Sequence, residues 1–371
     1  MMTQASPTGG VVSSGNATIS QSGNVTNVDQ TTNKSIINWQ NFNVSSNETV
    51  NFNQPNVNSI TLNRVIGNEK SIIDGALNAN GQVWILNSNG ILFSKDAKIN
   101  TSGLVATTAE LSDKDFQDGN YNFKNSKSNS VVNLGTIDVS NNGYVVLASN
   151  EVRNSGTIKA IKGKVFLSGN SEYTINLNGN SIVNLIVTKG VLDAMVENSG
   201  TIVVNGGEIY LTTNAVNELL KGVVNNTGIL EASSLDELTG KVEVFAHGGT
   251  ANVGGTISAT APESGDGGFI ETSGKVVNIK SDAKITTKSV NGKTGTWLID
   301  PNDFTVASSG GNITGAQIGS NLGTNKIQKS TAIQGTTGGN GDIFVNDNVT
   351  WTSGNTLTLT AERNININST L

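Results

Sequence analysis

Along most of this chain apolar and polar residues alternate in short bursts, and each burst follows Gly or Asn, as in TIDV from Thr136, TIKA from Thr157 and KVFLS from Lys164. Alternation over so few positions is the period of a half-buried β-strand. The Gly and Asn between bursts supply turns, because both tolerate left-handed backbone. The pattern therefore predicts many short strands joined by tight turns.

The bursts repeat. NLGTIDV begins at Asn133, NSGTIKA at Asn154, NSGTIVV at Asn198, NTGILEA at Asn226 and VGGTISA at Val253, at spacings of 21, 44, 28 and 27 residues. The spacing of 44 reads as two units of 22. Between them runs a second phrase in which Gly opens a strand: GYVVLA at Gly143, GKVFLS at Gly163, GEIYLT at Gly207 and GKVEVF at Gly240. Strand-only repeats of roughly 20–30 residues point to a solenoid of the parallel β-helix kind. In such a coil Ile137, Ile158, Ile202, Leu230 and Ile257 form one interior column, with Val139, Ala160, Val204, Ala232 and Ala259 beside it. The fold class is thus all-β: a right-handed parallel β-helix with an N-terminal cap and small extrahelical hairpins or loops.

Three stretches break the rhythm. ELSDKDFQDG from Glu110 places Ser112 and Asp115 in the spacing of a helix N-cap. NAVNELLKG, from Asn214 to Gly222, reads as a short helix closed by Gly. The segment from Ser308 to Gly341 reads as a long loop or irregular coil. The aromatic-rich block from Ile36 to Pro55, with Trp39, Phe42 and Phe52, reads as the N-terminal cap and first coils.

Composition narrows the function classes. The 371 residues include 43 Gly but 4 Pro, charged residues make up 14%, and the net charge is −6. A net acidic chain without basic runs is unsuited to nucleic acid. With no Cys there is neither a disulfide framework nor a thiolate metal site. No window approaches the length of an apolar membrane span. MMTQASPTGG lacks the charged and apolar regions of a leader, so either the protein is cytoplasmic or a leader has been removed.

Chemistry has few candidates. Asp300 and Asp303 flank Pro301 in WLIDPNDF, an Asx-turn context, and Glu263, Asp266 and Glu271 surround PESGDGGFIE. These would be the carboxylates of a carbohydrate-active β-helix enzyme, the rival reading. The lone His247 precedes two glycines and reads as a turn residue, and GGNGDIFVND from Gly338 lacks the register of a calcium nonapeptide. The expectation is no enzyme, no cofactor and no metal.

Other stretches carry a resemblance. SPTGG from Ser6, SITLNRVIG from Ser59 and GALNANGQVWILNSNGILFSKDAKINTSGLVATT from Gly75 resemble the amino-terminal secretion domain of two-partner-secretion exoproteins, the family of filamentous haemagglutinin and the high-molecular-weight adhesins. GGFIETSG from Gly267 and WLIDPNDFTV from Trp297 resemble segments of its adhesin branch. The resemblance implies a secretion domain over residues 1–240 and continuing coils over 241–371. It implies a removed Sec-type leader, passage through the periplasm of a Gram-negative bacterium, and export to the surface or medium by an outer-membrane β-barrel partner of the Omp85 superfamily. It also implies a monomer whose host receptor or glycan contacts lie outside this region. The family's Asn-Pro-Asn-Gly recognition element falls on Asn87, Ser88, Asn89 and Gly90, with Ser88 where Pro is usual, and Asn63 and Arg64 join it as implied recognition residues.

Overall fold

The computed structural model describes residues 6–214, 222–331 and 340–371, and the chain divides into two compact units. The first comprises residues 1–191 with 200–203, the second residues 192–199 with 204–371. Each unit is right-handed parallel β-helix.

In the first unit the expected column is present. Leu77, Ile99, Ile137, Ile158 and Ile202 are partners on successive parallel strands. All five are buried. In the second unit Leu230, Ile257 and Ile285 stack in the same manner. Burial of each aliphatic side chain stabilises by about 1.5–3 kcal/mol, realised only when a neighbouring coil covers it.

The repeated word does three jobs. Its Ile fills the column. Its Asn forms a buried ladder, Asn133 Nδ2 donating to Asn154 Oδ1 at 2.8 Å in the first unit and Asn198 Nδ2 to Asn226 Oδ1 at 2.8 Å in the second. Stacked carboxamides of this kind satisfy one another from coil to coil. Its Gly is there for space: a Cβ on Gly156 would lie 2.1 Å from the carbonyl oxygen of Gly135, and one on Gly200 would lie 2.1 Å from that of Gly156. A further ladder runs outside the first unit, from Asn27 through Asn51 and Asn78 to Asn100.

The spacing of 44 is not two coils. Ile158 pairs directly with Ile202, so the interval holds one coil plus an excursion. The strands Glu172–Asn178 and Ser181–Lys189 leave the helix as an antiparallel hairpin, joined by Asn122–Phe123 into a three-stranded extrahelical sheet. Sequence spacing counts residues whether or not they wind.

The cap lies earlier than the aromatic block. Val11–Ser14 runs antiparallel to Lys34–Trp39, and Ala17–Ser22 forms a hairpin with Val25–Gln30. The aromatic block makes first coils instead, Lys34–Trp39 pairing in parallel with Ile60–Val65 and Thr49–Asn53 with Ala76–Ala79. Antiparallel closure covers an edge that would otherwise be free to pair with other chains.

Helix α1, Asp113–Asp118, forms as expected, with Ser112 as N-cap accepting the Asp115 amide. Residues 215–221 of the other expected helix lie outside the described residues. The segment from Ser308 is not simply irregular. Helix α2, Gly315–Leu322, opens with a capping box between Thr314 and Gln317, and the strand Lys326–Ser330 follows. The Thr-x-x-Gln cap outweighs the low helix propensity of Gly315, Gly319 and Ser320, while Ile318 and Leu322 are buried.

Candidate functional site: a groove beneath the extrahelical sheet

The strands Gln82–Leu86, Gly103–Thr107 and Tyr144–Ser149 of the first unit are buried at every position. Alternate residues point inward; the others, Trp84, Val105 and Val146, face out and are covered. The cover is aromatic. Phe116 of α1, Tyr121 and Phe123 surround Trp84 with ring centroids at 5.6, 4.8 and 5.7 Å, and Phe123 stacks on Tyr173 at 4.7 Å. Trp84 Nε1 donates to the Tyr144 hydroxyl at 2.8 Å, which donates to Gln82 Oε1. Burial pushes the phenols of Tyr144 and Tyr173 well above their ordinary value.

Where this cover meets the coils it leaves a groove of about 710 Å³. One wall carries Arg64 to Asn68, Ser88 and Asn89; the other carries Glu110 to Asp113, Asn122 and Lys124. Arg64 spans both. Its guanidinium donates to Asn38 Oδ1 at 3.0 Å and to the Leu111 carbonyl at 2.8 Å, and pairs with Asp113 at 2.7 Å. It thereby fixes the position of α1 against the coil. Ile66 stands half exposed at the lip, while Val65 and Leu111 are buried.

Asn87 to Gly90 is a β-turn. The Gly90 amide donates to the Asn87 carbonyl at 3.0 Å and Asn87 Oδ1 accepts the Asn89 amide at 2.9 Å, an Asx turn. Gly90 has φ +102°, a conformation costly for any other residue. Without Pro at Ser88, the turn is pinned from outside: the Ser88 carbonyl accepts Asn129 Nδ2 at 2.7 Å and its Oγ accepts Lys127 Nζ at 3.3 Å.

The six expected recognition residues therefore divide. Arg64, Ser88 and Asn89 line the groove. Asn63 is buried, accepting from Trp39 Nε1 at 3.0 Å and donating to the Trp84 carbonyl at 3.3 Å. Asn87 is buried too, bound to the Glu69 carbonyl and Ser71 Oγ. Gly90 serves the turn. Sequence reasoning missed the opposite wall, Glu110 to Asp113 and Lys124. The signal was present in ELSDKDFQDG, a stretch with no place in the repeat.

The carboxylates of the rival enzymatic reading do not line this groove. Asp303 accepts the Asn340 and Asp342 amides at 3.0 and 3.1 Å, and Asp266 accepts the Lys293 amide at 2.8 Å, both structural contacts. His247 is a correction: it belongs to the strand Lys241–Val253, stacks on Phe245 with centroids 3.5 Å apart, and burial holds its pKa down to about 4. The strand bends at Gly248, whose φ is +65°, within the register irregularity between Ala246 and Thr250. Among the described residues no group of three or more His, Cys, Asp or Glu is placed to hold a metal ion.

A capped β-helix with an extrahelical sheet over one face is the class of structure the first unit defines. The profile of the TPS secretion domain matches residues 3–259, and the chain belongs to that two-partner-secretion family. A heme/hemopexin-binding protein of Haemophilus influenzae is 34% identical over 248 residues, covering 65% of this chain and 27% of the relative. A second heme/hemopexin-binding protein of that species is 28% identical over 296 residues, 74% of this chain and 30% of the relative. The crystal structure of the HMW1 secretion domain from Haemophilus influenzae superposes with a TM-score of 0.71 at 25% identity, covering 98% of this chain and all of that one. The chain thus spans under a third of the curated relatives' length. It carries an amino-terminal domain of a secreted exoprotein, recognised by a partner transporter for two-partner secretion.

Proposed function

We propose that the groove between the Arg64–Asn68 corner and α1 is where the transporter, an outer-membrane β-barrel of the Omp85 superfamily, reads the domain. What supports this is the convergence of Arg64, Ser88 and Asn89 on one concavity whose far wall is a non-repetitive insertion. Structural repeats alone would need neither. The apolar floor offers a place for an anchor side chain and the charged rim gives orientation. In this reading residues 1–240 act as the secretion domain and residues 241–371 continue the coils. The protein leaves a Gram-negative cell by way of the periplasm, and stacking of each emerging coil on its predecessor opposes backward sliding. No catalytic step is assigned. Binding of a host receptor, a glycan or, after the relatives' names, heme or hemopexin belongs in this proposal to the remainder of the longer protein.

Co-expression with the cognate transporter tests the site. Ser88→Arg and Asn89→Ala are expected to lower secreted protein while leaving the circular dichroism of the purified chain unchanged. Asn63→Ala and Asn87→Ala are expected to lower both. Wild-type export by folded Ser88→Arg and Asn89→Ala variants would place recognition elsewhere.

A further inference from the structure

The amino end of α1 helps to form one wall of the groove, yet the helix has little of its own to hold it there. At six residues, Asp113–Asp118, it is too short to be stable alone, and Phe116 is its one buried side chain. Its amino end is provided for by the Ser112 cap and by Asp113 and Asp115 in the first turn. Its carboxyl end is not. The last turn has no basic residue, although the terminal carbonyls carry the negative end of the helix dipole.

The missing cation comes from a coil strand 82 residues earlier. Lys34 Nζ donates to the carbonyls of Phe116 and Gln117 at 2.8 and 3.2 Å. The same ammonium lies 5.5 Å from the centre of the Phe116 ring and 5.1 Å from that of Tyr121. One group thus supplies charge-assisted hydrogen bonds to the helix end and a cation–π contact to the aromatic cover. Arg64 grips the other end through the Leu111 carbonyl and Asp113. Lys34 and Asn38, to which Arg64 also donates, lie on one strand, separated by about 13 Å. The helix with both caps, Ser112 to Gly119, spans about 12 Å. That match lets two cations from neighbouring strands hold the helix by its ends. Gln117 Nε2 adds a bond to Ser14 Oγ of the cap at 2.9 Å. Lys34 itself is not among the residues lining the groove.

We propose that Lys34 is a positioning residue for transporter recognition: by anchoring the carboxyl end of α1 it sets how far the Glu110–Asp113 wall stands from the Arg64–Asn68 corner. The proposal rests on the groove being the recognition site. It draws the first coil into recognition without giving that coil any surface in the groove. Losing the ammonium frees one end of the helix, while the aliphatic columns and the Ser112 cap stay as they were.

The test uses the full chain and its purified cognate transporter, with affinity and native-state hydrogen exchange measured on each variant. Lys34→Met keeps most of the stem and removes the charge. Its α1 amides are expected to exchange at least about tenfold faster, with the strands around Ile137 and Ile158 unchanged. Its affinity for the transporter is expected to fall about fivefold or more. Lys34→Arg, which keeps a long cation, is expected to stay within about twofold of wild type on both measures. Lys159→Met removes the same charge from an exposed position on the other sheet and is expected to change neither. Unaltered α1 exchange in Lys34→Met, faster exchange with wild-type affinity, or an equal loss of affinity in Lys34→Arg or Lys159→Met would each overturn the proposal. Ser88→Arg separates it from the reading beneath it. If Ser88→Arg weakens binding and Lys34→Met does not, the groove stands and the positioning role falls; if neither weakens binding, both fall.

Discussion

The column Leu77, Ile99, Ile137, Ile158 and Ile202 in the first unit and the column Val244, Thr272, Ile299, Lys329 and Leu359 in the second each run from coil to coil down a stack of parallel strands. The first is aliphatic throughout; the second admits a hydroxyl and an amine. Buried polar groups of the first unit are largely neutral amides, indoles and phenols bonded to one another, as in Asn133–Asn154 and Trp84–Tyr144–Gln82. The second unit buries Asp300 and Lys329 and half-buries Glu271. The difference teaches that a solenoid of one geometry can carry an interior that titrates near neutral pH or one that does not. The choice rests on single residues per column.

The largest effect expected from breaking this comparison is shared by both units. Ile158→Asp and Ile257→Asp each place a charge in an aliphatic column and are expected to cost about 4 kcal/mol or more. Urea denaturation read by hydrogen exchange in peptides of each unit checks it.

Lys329 separates the units. Because its folded pKa is lowered to about 7 from an ordinary 10.5, the unfolded chain binds more protons across that window. Stability of the second unit therefore rises as pH increases from about 7 to 10.5, by up to about 5 kcal/mol. Lys329→Met is expected to flatten that rise and to add about 3 kcal/mol near pH 7. Above pH 10 the first unit moves the other way: its buried phenols stay protonated while those of the unfolded chain ionise, so stability falls. Exchange rates against pH, unit by unit, sharpen the contrast.

Tyr144→Phe leaves Trp84 Nε1 and Gln82 Oε1 without their partner and is expected to cost the first unit about 2 kcal/mol, seen as a lower melting temperature and altered Trp84 fluorescence. The smallest effect is at Glu271, whose pKa is raised first by burial and then by Glu243, its ladder partner on the preceding coil. A raised carboxyl pKa means a contribution present at low pH and lost as pH rises through it. Glu271→Gln is expected to stabilise the second unit at neutral pH by under about 1 kcal/mol, measured by denaturant midpoint.

The interior was legible because each NSGTI-like word carries its own register. Ile137, Ile158 and Ile202 could be aligned on sight, and Ser112 announced α1. What was not legible lay outside the winding. The excursion of Glu172–Lys189 has the same alternation as a coil strand, so periodicity could not separate it from a coil. The burial of Asn63 and Asn87, whose recognition role came only from the resemblance, was not legible because nothing local says that Trp39, Trp84 and Ser71 will enclose them. Lys329 gave no warning, since a buried amine is recognised by its neighbours and not by its position in a strand.

The direct pairing of Ile158 with Ile202 across a long interval has an engineering corollary. Because alignment is enforced at the Asn-x-Gly-x-Ile word and not by the length of chain between words, the interval between Ile158 and Ile202 can hold a hairpin without shifting the winding on either side. The detour is free to vary in length only while Tyr173 keeps its place on Phe123 over the coil.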